Sequence, residues 1–277
     1  MRVSSLARVL AIAGALGCSS GSASRGLPPA IDEGHAVLPT EPPPAPPTEP
    51  RQDGAFYEPD PEGRPVPILR ADAPNMGYAA LDRVACEAEL TRRAVPFVRA
   101  ADTPNVLAPV RLQGPLRGVS IHSVLSPAER AKSASEILDC RLVLALDDFA
   151  GLVVQHGVVE IVHLSGYRPA SAHGCTPKYA GKQHCGALAV DVATFKRSDG
   201  TALVVERDFH GRIGLPTCSK TAGPSPPSAE SMELWSLVCE SARRATFHVI
   251  LTPNFNAQHK NHFHLEITPD AGWMLIK

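Results

Sequence analysis

Gln183-His184-Cys185-Gly186-Ala187-Leu188-Ala189-Val190-Asp191 reads as a turn that delivers one histidine, followed by a buried strand that carries one carboxylate. The run after Gly186 is small and aliphatic, the composition of a strand covered on its faces, and a carboxylate in such a run needs a partner. Far downstream, His259-Lys260-Asn261-His262-Phe263-His264-Leu265-Glu266 alternates imidazoles with apolar residues. Strand side chains alternate between two faces, so His262 and His264 point the same way, separated by roughly 7 Å of rise. His184, Asp191 and His264 together offer two imidazoles and one carboxylate. That is the donor set of a catalytic zinc, which takes three protein ligands and leaves a fourth position to water. Such a metal brings the pKa of its water to roughly 7 and polarises a carbonyl, so hydrolysis needs no Ser or Cys nucleophile.

Outward from this stretch, residues 188–195 and 201–205 flank the turn Asp199-Gly200, which predicts a hairpin with Asp191 in its first strand. Residues 247–251 and 262–267 predict two further strands with a loop over 254–260, and 230–244 an amphipathic helix burying Leu234, Trp235, Leu237, Val238 and Ala242. Toward the N-terminus, 158–164 is β-branched and apolar and predicts a strand ending near Ser165-Gly166-Tyr167-Arg168-Pro169. Residues 133–156 predict a long, mostly buried helix or a helix pair; 95–98 and 106–112 predict short strands, and 79–94 a helix. Ser126 is placed to N-cap a helix, with Glu129 three residues on. The expected fold class is α+β: an antiparallel sheet bearing the zinc site on one face, with helices packed on the other.

A family resemblance sits on the same residues. Ala189-Val190-Asp191-Val192-Ala193-Thr194-Phe195, then Ser198-Asp199-Gly200, then Phe247-His248-Val249-Ile250-Leu251-Thr252-Pro253-Asn254-Phe255-Asn256-Ala257 running into His262-Phe263-His264 resembles the bacterial extensin-like C-terminal domain. The pattern His-x6-Asp followed by His-x-His also resembles the LAS zinc peptidases, which include lysostaphin, D-alanyl-D-alanine carboxypeptidase and hedgehog. The resemblance implies a hedgehog-like sheet and zinc held by His184, Asp191 and His264. It also implies that Arg168, an arginine following a strand, faces the substrate, and that His262 helps to activate the water. A planar guanidinium suits the first role, since it can grip a carboxylate or polarise a carbonyl. An imidazole with an unperturbed pKa of roughly 6.5 suits the second. The competing readings are a turn arginine at the surface for Arg168 and a ligand-orienting histidine for His262. Glu266 is either an acceptor for a ligand or a rival general base, and His259 lines the cleft or holds a loop. The group's Ser and Gly around the first histidine are replaced here by Lys182 and Ala187, and the glutamate that carboxypeptidases place before the last ligand by Asn261 and His262. His163, His173, His210 and His248 read as structural or exposed.

The chain of 277 residues can hold one sizeable domain plus extensions. A net charge of -1 and the lack of a long basic run argue against nucleic acid, and a monomer is expected. Residues 1–18 read as a lipoprotein signal peptide, with a basic start and an apolar run over 9–16 too short to cross a bilayer. Ala15-Leu16-Gly17-Cys18-Ser19-Ser20 resembles a lipobox and predicts a membrane anchor through lipid on Cys18, an ordinary cleaved signal being the alternative. Residues 19–75 read as a disordered Pro-rich tether and 76–277 as the folded, zinc-peptidase-like domain. Of seven cysteines, six remain after Cys18, and export makes disulfides the default. Pairing nearest neighbours predicts Cys86 with Cys140, Cys175 with Cys185 and Cys218 with Cys239. A rival reading uses His173, Cys175, His184 and Cys185 as a small zinc knuckle, which exported thiols disfavour.

The expectation is an exported zinc metallopeptidase, periplasmic or anchored at the outer membrane, that hydrolyses an amide bond in peptidoglycan stem peptides or cross-links. The alternatives are a non-catalytic cell-wall-binding or scaffolding module with a structural zinc, and a general metallohydrolase acting on protein.

Overall fold

Side-chain alternation along the strands places the sheet. The structure, a computed structural model, describes residue 60 and residues 62–172, 175–219 and 221–277. The expected signal peptide, the Cys18 lipid site, the tether up to residue 59 and His173 lie outside the described residues. In chain order the elements are β1 (Val66–Pro67), α1 (Pro74–Ala79), α2 (Arg83–Arg92), β2 (Phe97–Arg99), β3 (Pro109–Leu112), β4 (Ser120–Ser123), α3 (Pro127–Arg130), β5 (Leu138–Asp139), α4 (Cys140–Val153), β6 (Val158–Ser165), β7 (Ala189–Arg197), β8 (Ala202–Val204), α5 (Val205–Asp208), α6 (Ala229–Arg243), β9 (Val249–Leu251), β10 (Phe263–Glu266) and β11 (Trp273–Ile276).

The main sheet has eight strands in the order β1-β11-β9-β10-β7-β6-β4, with β8 paired to β7; β2, β3 and β5 form a second, three-stranded sheet. The architecture is α+β, a sheet flanked by helices. The sheet is mixed rather than wholly antiparallel, because β4 pairs with β6, and β11 with β9, in parallel. A parallel pair needs a long crossover, and the β4 to β6 connection supplies one through α3, β5 and α4. The β7–β8 hairpin closes at Asp199-Gly200, where Gly200 takes a φ of 86° and the Asp199 carboxylate accepts from Thr201 N at 2.8 Å.

The core lies on the helix side of the sheet. Phe149 of α4 meets Phe195 of β7 and Phe247 edge-on at 6.1 and 5.7 Å, while Phe263 of β10 meets Phe195 and Phe209. Twelve of the fourteen α4 residues are buried, as befits a helix apolar nearly all round and packed by α1, α2 and α6 as well as the sheet. The Cys86–Cys140, Cys175–Cys185 and Cys218–Cys239 disulfides are all formed, the pairing expected from chain order. They are the mark of an oxidising, extracytoplasmic setting. Among the described residues no helix is long and apolar enough to cross a membrane.

Three boundaries differ from expectation. The helix expected over 79–94 is α2, which starts only at Arg83 because Asp82 is its N-cap, with the carboxylate accepting from Ala85 N at 2.8 Å; Ala79 ends the separate helix α1. Most of the helix expected over 133–156 is α4, but Leu138 and Asp139 belong to a strand on β3, and Asp139 then N-caps α4 through Arg141 N. The boundary expected at 75/76 falls inside ordered structure: Val66 and Pro67 pair with Met274 and Trp273, and Asn75 Nδ2 donates to Phe247 O at 3.1 Å. An exposed edge at β11 offers unpaired backbone groups, and this N-terminal segment satisfies them. The capping box at Ser126 and Glu129 is present as expected.

Candidate metal centre

Strand register gathers the site. On β7, Val190 and Val192 turn into the core while Asp191 between them faces the opposite side; on β10, Phe263 and Leu265 are buried while His264 lies directly across from Asp191. On β6, Ser165 lies across from Asp191 on the other flank. His184 arrives from a short 3-10 turn, Gln183–Gly186, bounded by Gln183 and Ala187 at φ of 47° and 54°. Left-handed backbone at non-glycine residues is costly and clusters at functional sites. Gly186 is needed in that turn, since a Cβ there would lie 2.4 Å from the Gly181 carbonyl carbon.

Three donor atoms form a small triangle. His184 Nε2 and His264 Nδ1 are each 3.1 Å from Asp191 Oδ1 and 3.2 Å from one another. Edges of roughly 3.3 Å are what a tetrahedral zinc with metal–ligand bonds of about 2.0–2.1 Å requires. The outward nitrogens settle the tautomers: His184 Nδ1 donates to Gly166 O at 2.8 Å and His264 Nε2 to Glu266 Oε2 at 3.1 Å. Both inward nitrogens are then left with lone pairs facing a carboxylate oxygen. Three buried lone pairs directed at one point repel unless a cation lies among them, either a proton or a metal ion. The donor set, its spacing and its outer partners fit zinc.

Electrostatics agree. Burial pushes the Asp191 carboxyl up, but the His184 and His264 rings beside it outweigh that effect and hold the group well below the usual carboxylate range. Burial lowers His184. For His264 burial also acts downward, yet Asp191 and Glu266 on either side of the ring raise it to about 9. Of the two rings, His264 is therefore the one whose surroundings favour a proton when no metal is bound.

His262 and His259 stand beside the triangle. His262 Nε2 lies 3.4 Å from Asp191 Oδ1, while its Nδ1 donates to Asn261 Oδ1 at 2.8 Å. The His259 ring lies 5.1 Å from that of His262 and 5.9 Å, edge-on, from that of His264, and its Nδ1 donates to Asn256 Oδ1 at 2.8 Å. Burial lowers His262 and pushes His259 down to about 4. Arg168 Nη2 donates to Asp191 Oδ2 at 2.7 Å and its Nε to Ser165 Oγ at 2.9 Å, while the side chain stays 41% exposed. Of the two roles open to Glu266, its position matches the acceptor: it is buried, bonded to His264, and takes the Thr268 hydroxyl at 2.9 Å on its other oxygen.

Sequence reasoning overlooked Ser165, the Gly166 carbonyl, Asn256, Asn261 and Thr268. Each acts through hydrogen bonds whose geometry is set by folding, and no periodicity marks such a residue. His163 and His248 are buried and make no hydrogen bond to the triangle, although His163 lies across from Val192, next to Asp191; His210 donates from Nδ1 to Pro226 O at 2.7 Å. The knuckle built on Cys175 and Cys185 is excluded, because both sulfurs are bound in one disulfide.

A family model described as Extensin-like protein C-terminus matches residues 84–276. No curated protein and no solved structure matches the chain.

Proposed function

This chain belongs to the extensin-like protein C-terminus family, and on that premise we propose that it is an exported zinc metallopeptidase acting on an amide bond in peptidoglycan stem peptides or cross-links. The observation that carries the reading is the buried triangle of His184 Nε2, Asp191 Oδ1 and His264 Nδ1, with edges of 3.1, 3.1 and 3.2 Å that call for a cation among them. These three atoms would hold the zinc. Bound there, zinc supplies Lewis-acid polarisation of a carbonyl and acidifies water near neutral pH. Kinship with the LAS zinc peptidases is part of the proposal and rests on the His-x6-Asp and His-x-His spacing.

The remaining chemistry falls to the protein. His262 is kept neutral by burial, and its Nδ1–H is spent on Asn261, so Nε2 is the free base on the Asp191 side. In the proposal His262 takes a proton from the attacking water at Nε2 and returns it to the leaving amine. Arg168 has one edge on Asp191 and Ser165 and is otherwise open to solvent, so its remaining N–H groups orient a substrate carbonyl or carboxylate. Glu266 and Gly166 hold the two imidazoles in their ligating tautomers. The three disulfides support an extracytoplasmic location, and lipid on Cys18 would tether the catalyst to a membrane facing the wall.

The test is zinc content of the purified chain, then incubation with purified sacculi and analysis of released fragments, with His184→Ala as control. One zinc per chain with fragments that vanish in His184→Ala is the expected result. Zinc without fragments would return the module to a wall-binding or scaffolding role. Cleavage of casein but not of muropeptides would make it a general protease.

A further inference from the structure

Asp191 uses its two oxygens on different partners. Oδ1 faces both inward imidazole nitrogens at 3.1 Å, whereas Oδ2 accepts from Arg168 Nη2 at 2.7 Å. The guanidinium is itself aimed, because its Nε donates to Ser165 Oγ at 2.9 Å and Ser165 lies across from Asp191 on β6. One rigid, planar edge thus spans both residues and leaves the carboxylate little freedom to rotate. Carboxylates bind metal ions through one oxygen or through both. A two-oxygen Asp191 would fill the position that hydrolysis needs open.

We infer that Ser165 and Arg168 are positioning residues that hold Asp191 to one-oxygen coordination and so keep a position at the metal free for substrate. The inference rests on the metal-centre reading above. It separates a catalytic centre from a closed structural one by named contacts rather than by ligand count. It also assigns the inner edge of Arg168 a task distinct from the substrate contact of its outer N–H groups. Mere neutralisation of the Asp191 charge is the rival account. It predicts that a lysine would serve, while the geometric account predicts that a lysine, with a single point of charge, would not.

Co2+ alone is the probe, titrated into the metal-free full chain of wild type, Arg168→Met, Arg168→Lys and Ser165→Ala, with the visible spectrum read before and after azide. Thermal melting of each variant controls for folding. Wild type is expected to bind one Co2+ with the intense absorption of a four-coordinate ion that azide perturbs. Both arginine variants are expected to keep stoichiometric Co2+ but to show the weaker absorption of a higher-coordinate ion that no longer responds to azide, and Ser165→Ala is expected to move the same way by less. Identical spectra and azide responses across the set would overturn the inference. So would loss of Co2+ from Arg168→Met, which would make the arginine a requirement for affinity, or a wild-type response in Arg168→Lys. A wild-type chain that takes up no Co2+ overturns the functional reading and this inference together.

Discussion

His264 and Glu266 lie two residues apart on one face of β10, and the ring Nε2 donates to the carboxylate at 3.1 Å. That contact turns Nδ1 toward Asp191, so that β10 carries both a proposed ligand and its brace. Removing the brace should weaken the metal while sparing the fold. Glu266→Ala is expected to lower zinc affinity by roughly 10–100-fold, and Glu266→Gln, whose amide oxygen still accepts, by less. Competition with a chromophoric chelator measures both, and equal affinity in all three proteins would dismiss the bracing role.

Alkali should soften the metal-free protein. His264 is raised to about 9 by Asp191 and Glu266 against the effect of burial, whereas in the unfolded chain it titrates at roughly 6.5. A raised pKa means that the folded state holds the proton more tightly. The stabilisation is complete below a pH of roughly 6.5 and is lost as pH rises through about 9. In chelator, the melting temperature is expected to fall across that window. Zinc saturation, which replaces the proton, or His264→Asn should flatten the slope. A flat profile in chelated wild type would contradict the assignment.

Acid should act through different residues. His163 and His248 are buried and pushed down to about 4 by desolvation, and His163 Nδ1 and His248 Nε2 have no hydrogen-bond partner among the described residues. A depressed pKa gives stability that is present above the unfolded value of roughly 6.5 and lost as pH falls toward about 4. The loss approaches about 1.4 kcal/mol per pH unit for each ring. Urea unfolding at several pH values should show it, and the pair His163→Asn with His248→Gln should shrink the acid slope. An unchanged slope would place the acid sensitivity elsewhere.

Gly166 allows the chain to pass beneath Ser135, since a Cβ at Gly166 would come within 2.4 Å of Ser135 O. Its own carbonyl holds His184 at 2.8 Å. Gly166→Ala is therefore expected to pull that carbonyl off the ring and reduce zinc affinity by roughly tenfold or more. A melting curve near wild type beside an unchanged zinc affinity would show that the carbonyl is not needed.

The Cys175–Cys185 disulfide closes a short loop ending beside His184. Replacing both cysteines by serine should cost about 3 kcal/mol on loop entropy and loosen the first ligand. Replacing Cys86 and Cys140 should lower stability but leave zinc affinity in the folded fraction unchanged, because that bridge ties α2 to the start of α4, far from the ligands in the chain. Equal effects on affinity from the two pairs would show that the loop bridge has no special relation to the centre.

Much of the architecture could be read without coordinates. The small, aliphatic run opening β7, the alternation of His262 to Leu265, the Asp199-Gly200 turn, the Ser126 capping box and the cysteine order are local or nearly local features, and local chemistry writes them into the chain. β4 and β11 went unseen because both are short edge or near-edge strands whose pairing is parallel and depends on distant partners. The late start of α2 at Arg83 went unseen because helical spacing continues back across its Asp82 cap.

At the centre, residue types and spacing were enough to nominate His184, Asp191 and His264, since period-two alternation and the short turn before β7 constrain where those side chains point. Which nitrogen of each ring turns inward, which oxygen of Asp191 meets Arg168, and that Glu266 accepts from His264 and Thr268 were matters for folding. They depend on the Gly166 carbonyl, the Ser165 hydroxyl and the β6–β7–β10 register, and these are positions of atoms from separate segments that no single stretch of chain encodes.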